Sequence, residues 1–164
     1  MIAAAEELHA PVMLQTTPST VGYWTLEMYQ TMAASETVRA SITACLHLDH
    51  GSSFGLVVQA ICTGYTSVMI DGAHEGFEEN VALNKRVADV ARACGILVEG
   101  ELGRVGGKED DLIAEKDTNT DPMQAKEFAE RTGVSSLAAA IGTAHGFYAR
   151  IPVLNKLKSL AKKV

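Results

Sequence analysis

Residues 42–71, ITACLHLDHGSSFGLVVQAICTGYTSVMID, contain one complete unit of strand, helix and strand. The apolar run Ile42–Asp49 is typical of a buried strand, and the helix after it begins at one of the two serines that follow Gly51. Its apolar residues recur at helical spacing until Gly64, and Ser67–Asp71 is again strand-like. Two buried strands joined by a helix predict a parallel pair with a right-handed connection.

The same alternation continues on both sides of this unit. A helical segment at 2–9 precedes the first strand, a helical stretch extends from a turn near Pro18 to about Ser35, and further helices end at Gly95 and Gly133. The predicted strands are Pro11–Leu14, Ile42–Asp49, Ser67–Asp71, Ile96–Glu101 and Ser136–Gly142. Such a chain forms either a barrel or an open doubly wound sheet. Because a closed (β/α) barrel needs about eight strands and about 250 residues, length alone favours the open sheet.

Composition limits the possible partners and location of the chain. With 164 residues, 47% of them apolar, the sequence is expected to form one domain. A net charge of −6 gives no general attraction to nucleic acid or to an anionic membrane surface. The three cysteines lie in apolar runs, as reduced core cysteines do, and neither a signal pattern nor a membrane-spanning run is apparent. We therefore expect a cytoplasmic protein.

Residues able to bind metal or transfer protons follow the strands at one end of the predicted sheet. The carboxyl ends of parallel strands are where α/β folds build active sites. These residues are His47, Asp49, His50, Asp71, His74, Glu99, Glu101 and His145. For His47 and His74 a structural role is favoured, whereas Asp49 and His50 are both expected to reach the site because the strand breaks at Gly51.

Two further features bear on the chemistry. Glu99 and Glu101 are two residues apart in a strand and so share a face, where two carboxylates are costly without a cation; one of them is expected to bind metal. A polar segment from Gly103 to about Thr120 predicts a long loop. Its glycines favour a hinged loop that closes over an active site.

Five motifs resemble those of class II fructose-bisphosphate and tagatose-bisphosphate aldolases, in the same order and at matching spacing. They are LHLDHGSS (46–53), SVMIDGAH (67–74) with FEEN (77–80), VEGELGRVGGKEDD (98–111), TDP (120–122) and AIGTAHG (140–146). The resemblance covers nearly the whole chain. It implies a (β/α) barrel in place of the open sheet, a Zn²⁺ cofactor with a possible second cation, a sugar bisphosphate substrate and a homodimer.

The resemblance also implies roles for individual residues. His50 and His145 match ligands of the catalytic zinc, and Asp71 and Glu101 match a second metal position. Asp49 matches the acid/base at the cleaved bond, Glu109 matches the loop carboxylate that transfers a proton to the dihydroxyacetone phosphate carbon, and Gly146 matches a backbone position that contacts phosphate.

Compared with this family, the sequence lacks the first strand and the last two strands. Residues 1–164 are therefore expected to form a single incomplete barrel domain of about five parallel strands, truncated at both ends. The expected reaction is cleavage of fructose 1,6-bisphosphate, with tagatose 1,6-bisphosphate as the competing substrate. One competing hypothesis is a catalytically inactive remnant, or an interaction partner that completes itself by pairing with a second chain. The other is a different metal-dependent lyase or hydrolase.

Overall fold

The computed structural model describes residues 1–104 and 119–142, and the backbone alone of 107–109 and 112–114. In this part of the chain strands and helices alternate, as the sequence predicts. The helices are α1 (Ile2–Glu7), α2 (Pro18–Tyr23), α3 (Leu26–Thr37), α4 (Phe54–Thr63), α5 (Phe77–Ala93) and α6 (Pro122–Thr132). The strands are β1 (Val12–Thr16), β2 (Ala44–Gly51), β3 (Ser67–Ile70), β4 (Leu97–Leu102), β5 (Gly107–Glu109), β6 (Leu112–Ala114) and β7 (Ser136–Ala139).

Polar caps and left-handed residues set the ends of the helices. The Ser53 side chain accepts a hydrogen bond from the backbone N–H of Leu56 at the start of α4, and Gly64 ends that helix with φ 104°. The helical segment predicted up to about Ser35 consists of two helices, α2 and α3. Thr25 adopts an extended backbone between them and caps α3.

The main sheet contains five parallel strands in the order β1-β2-β3-β4-β7. Each successive strand joins the same edge, which is the order found in a (β/α) barrel. In a doubly wound sheet the order reverses at a switch point. The open doubly wound sheet favoured by length alone is therefore wrong.

The two faces of this sheet carry different residues. Leu48, Val68 and Ile70 are fully buried and pack with Val57 of α4 and Val87 of α5 in the main hydrophobic core. Because side chains alternate along a strand, the residues between them point to the opposite face. That inner face carries the polar residues His47, Asp49, Ser67, Glu99 and Glu101.

Two expectations about other segments need correction. The segment predicted as a loop contains a short antiparallel hairpin formed by β5 and β6. Cys62 and Cys94 are exposed and Cys45 is half-buried, so the cysteines are not core residues. Among the described residues, no helix is both long and apolar enough to cross a membrane.

Candidate metal centre

The end of β2, which carries the predicted site residues Asp49 and His50, is irregular. The register of β2 against β3 shifts between Leu48 and Gly51, and His50 has a left-handed backbone with φ 47°. Such a conformation is uncommon for a residue other than glycine and is often found at functional sites. The strand ends at Gly51, as the sequence predicts. A bulge of this kind changes the direction of the side chains that follow it, and His50 lies within the site.

His50, Asp71 and Glu101 converge at the carboxyl ends of three adjacent strands. The Nδ1 atom of His50 lies 3.2 Å from Oδ2 of Asp71 and 3.6 Å from Oε2 of Glu101. Their potential ligand atoms all lie within 4.8 Å of one another. The side chains are only 12%, 19% and 9% exposed, respectively. Three predicted metal-binding residues thus form one cluster.

Asp71 is held by its own turn. Its Oδ1 atom accepts a hydrogen bond of 3.0 Å from the backbone N–H of Ala73, and its Oδ2 atom faces His50. Burial alone would raise the pKa of Asp71, but the hydrogen bonds with His50 and Ala73 outweigh it and lower the pKa. The carboxylate is therefore kept in the ionised form that binds a cation.

Two buried asparagines support the backbone behind the cluster. The Nδ2 atom of Asn80 donates a hydrogen bond of 2.8 Å to the carbonyl oxygen of Glu101, and Asn84 donates one of 2.7 Å to Oδ1 of Asn80. A Cβ on Gly72 would lie 2.2 Å from that Oδ1 atom, so glycine is required there. Asn80 thereby packs against the ends of both β3 and β4. No role was predicted for Asn80, although two asparagines four residues apart, beside the apolar positions of one helix, were a usable signal.

A second polar group lies on the inner face between β2 and β4. His47 is fully buried, forms a hydrogen bond of 2.8 Å with Ser67, and has Nε2 3.7 Å from Oε2 of Glu99. Burial lowers the pKa of His47 more than the nearby charge of Asp49 raises it. Burial, together with the charge of Asp49, raises the pKa of Glu99. Of the two predicted carboxylates, Glu101 therefore joins the metal cluster and Glu99 faces His47.

The remaining candidate residues either lie away from the cluster or have side chains outside the described part of the chain. His74 is 64% exposed and pairs with Glu75 at 3.3 Å, outside the cluster. Glu109 lies in β5, where the structure describes only the backbone. His145 and Gly146 lie outside the described residues.

The chemistry of the cluster fits a divalent cation. One imidazole nitrogen and two carboxylate oxygens are ligands that zinc accepts, and catalytic zinc sites commonly combine histidine with a carboxylate. Three converging protein ligands leave coordination positions for further ligands or for substrate. The arrangement can therefore hold a metal ion at the strand ends. Asp49 is half-buried, and its charge acts on His47 and Glu99 of the same sheet.

The whole chain, residues 1–164, matches the sequence model of the family described as fructose-bisphosphate aldolase class-II. The chain belongs to this class II fructose-bisphosphate aldolase family. The family predicted from the five motifs is thus confirmed. It is a family that is generally metal-dependent, in agreement with the His50, Asp71 and Glu101 cluster.

Curated relatives of this chain are named as fructose-bisphosphate aldolases. It is 43% identical over 157 residues to the "Probable fructose-bisphosphate aldolase" of Bacillus subtilis and 40% identical over 158 residues to the "Fructose-bisphosphate aldolase" of Staphylococcus aureus. The matches cover 94% of this chain but 55% of each relative. The chain therefore spans about half the length of these curated relatives.

Solved aldolase structures share the fold. The YdjI aldolase from Escherichia coli K12 has a TM-score of 0.82 at 36% identity. A putative fructose-1,6-bisphosphate aldolase from Coccidioides immitis has a TM-score of 0.86 at 30% identity. Each comparison covers 99% of this chain and 58% of the other. The predicted partial (β/α)8 barrel is therefore confirmed, with the five parallel strands forming a half-barrel.

Proposed function

We propose that this chain contributes the metal-binding part of an active site for reversible aldol cleavage of fructose 1,6-bisphosphate to dihydroxyacetone phosphate and glyceraldehyde 3-phosphate. The observation that carries the proposal is the convergence of His50, Asp71 and Glu101 at the strand ends of a class II aldolase-family half-barrel. The names of its relatives support the fructose substrate.

Zinc is the proposed cation, held by His50 and His145, with Asp71 and Glu101 forming an alternative or second metal position. The short distances from these two carboxylates to His50 support two metal positions in the same site at the strand ends. When bound, zinc supplies a Lewis acid that stabilises negative charge developing on the substrate oxygen beside the breaking bond.

Asp49 and Glu109 are the proposed proton-transfer residues. As the carbon–carbon bond breaks, the Asp49 carboxylate accepts the proton of the hydroxyl group on the carbon that becomes the aldehyde. The bonding electrons remain with the dihydroxyacetone phosphate half, and the acid form of Glu109 donates a proton to that carbon. The reverse reaction moves both protons back. General acid–base transfer of this kind contributes about 10²–10⁴-fold to a rate.

The other proposed features concern substrate and assembly. The backbone at Gly146 contacts a substrate phosphate, and the functional protein is a cytoplasmic homodimer that binds neither nucleic acid nor a membrane. The net charge of −6 supports the last point.

The direct test is zinc-supplemented cleavage of fructose 1,6-bisphosphate by the purified chain, with a chelated sample beside it. We expect chelator-sensitive turnover that falls at least about 100-fold in Asp49→Asn, because the hydroxyl proton then has no acceptor. The matched control is Asp89→Asn, an exposed carboxylate on α5, which should retain activity.

Tagatose 1,6-bisphosphate serves as the competing substrate in the same assay. Higher kcat/KM for tagatose 1,6-bisphosphate would replace the proposed substrate. Absence of turnover on both sugars in folded, zinc-bound protein would contradict catalysis by this chain.

A further inference from the structure

Arg104 connects the end of β4 to the turn that follows β3. Its Nε atom donates a hydrogen bond of 3.3 Å to the carbonyl oxygen of Ala73, and its Nη2 atom donates one of 3.0 Å to the carbonyl oxygen of His74. Arg104 lies three residues after Glu101, so one side chain bridges from the strand of one cluster carboxylate to the turn of another.

The turn that Arg104 contacts also holds the Asp71 carboxylate. The backbone N–H of Ala73 donates to Oδ1 of Asp71, and Oδ2 of the same carboxylate faces His50. The carbonyl oxygen of Ala73 thus accepts a hydrogen bond from Arg104, while the N–H of the same residue donates one to Asp71. Movement of the turn would move the Asp71 carboxylate relative to Glu101, and metal affinity depends on such supporting contacts.

We propose that Arg104 is a positioning residue, which holds the turn after β3 so that Asp71 stays at metal-binding distance from His50 and Glu101. This inference rests on the proposed metal centre and assigns a role to a side chain that does not itself bind the cation. Arginine suits the role because its planar group donates in a fixed fork to two carbonyl oxygens, which a lysine ammonium does not reproduce.

The positive charge of Arg104 lets the direction of the change in metal affinity test the proposal. If the residue acted through its charge alone, removing that charge would reduce repulsion of a cation and strengthen metal binding. If it acts by positioning, removing the guanidinium weakens metal binding although a repulsive charge is lost. Arg104→Gln and Arg104→Lys separate these effects, because lysine keeps the charge and loses the fork.

The experiment is calorimetric titration of the purified metal-free chain with Zn²⁺, repeated with Co²⁺ and followed by its visible absorption. For Arg104→Gln we expect affinity about 10-fold lower than wild type, within the range seen when supporting contacts of metal ligands are lost. Arg104→Lys should also bind more weakly. Arg39→Gln, which removes an exposed arginine just after the end of α3, is the matched control and should bind as wild type.

Circular dichroism of the metal-free variants checks that each is folded before titration. Equal or tighter binding by folded Arg104→Gln would overturn the positioning role while leaving the metal centre intact. Failure of the wild type to bind either ion would contradict the proposed metal centre, and with it this inference.

Discussion

The outer and inner faces of the same sheet have different compositions. The outer face, which packs against the helices, carries Leu48, Val68 and Ile70 without measurable exposure. The inner face carries ionisable side chains, including Glu101 of the metal cluster. Strand alternation thus separates residues that stabilise the fold from residues available for chemistry. Substitutions on the outer face should mainly change the free energy of unfolding, and substitutions on the inner face should mainly change metal affinity.

The largest stability change is expected on the outer face. Leu48→Ala should lower the free energy of unfolding by about 2–5 kcal/mol, because Leu48 is fully buried and its removal leaves a cavity. Leu97→Ala is the matched control, since that leucine is 59% exposed, and should cost less than about 1 kcal/mol. Urea unfolding of both variants provides the measurement. Equal losses at the two positions would contradict the division between faces.

On the inner face the expected effect is on metal affinity. Glu101→Gln keeps the side-chain size but removes a cluster carboxylate, and should weaken Zn²⁺ binding about 100-fold, equivalent to about 2.7 kcal/mol. Glu36→Gln, at an exposed position on α3, should leave the affinity unchanged. Calorimetric titration distinguishes them. An unchanged affinity in Glu101→Gln would exclude this carboxylate from the metal site.

Asn80 tests whether the two faces are coupled at the strand ends. Asn80→Ala removes the donor to the Glu101 carbonyl and should lower the free energy of unfolding by about 1–3 kcal/mol. It should also weaken Zn²⁺ binding, by less than Glu101→Gln does. Gln59→Ala removes an exposed amide from α4 and serves as control in denaturant titrations. Loss of stability with unchanged zinc affinity would confine Asn80 to packing.

Part of this division could be predicted from the sequence. Short apolar runs placed all five main strands to within a few residues, and capping residues such as Asp121 and the terminal Gly133 marked helix ends. These signals are local, so they can be read without the fold. Asp71 and Glu101 were assigned to a metal position by the motif resemblance, and the structure brings them to His50.

The remaining features depend on contacts between distant residues. The irregularity between Leu48 and Gly51 arises from the pairing of β2 with β3, which the sequence of β2 alone does not specify. The hairpin β5–β6 interrupts a segment whose polar composition predicts a loop. The role proposed for Arg104 depends on two carbonyl oxygens about thirty residues earlier, in contacts that involve no sequence motif of their own.

The smallest expected effect is a pH dependence from His47. Burial lowers its pKa in the folded protein, so the unfolded chain binds the proton more readily. Stability should therefore be fully present above the unfolded pKa, about 6.5, and fall as the pH decreases from there toward the lower folded value. Metal-free His47→Gln should lose less stability between about pH 7.5 and pH 5 than wild type does.

His9→Gln, at an exposed position after α1, is the control for that experiment and should retain the wild-type dependence. An identical pH dependence in His47→Gln and wild type would show that other groups cause the acid sensitivity. Urea titrations at both pH values supply the comparison.

The central claim is that the strand ends form a metal centre, and anomalous diffraction from zinc-loaded crystals of this chain tests it most directly. We expect an anomalous peak coordinated by one or more of His50, Asp71 and Glu101, at about 2.0–2.2 Å from the coordinating atoms. A zinc peak elsewhere, with none of these three residues as a ligand, would contradict it.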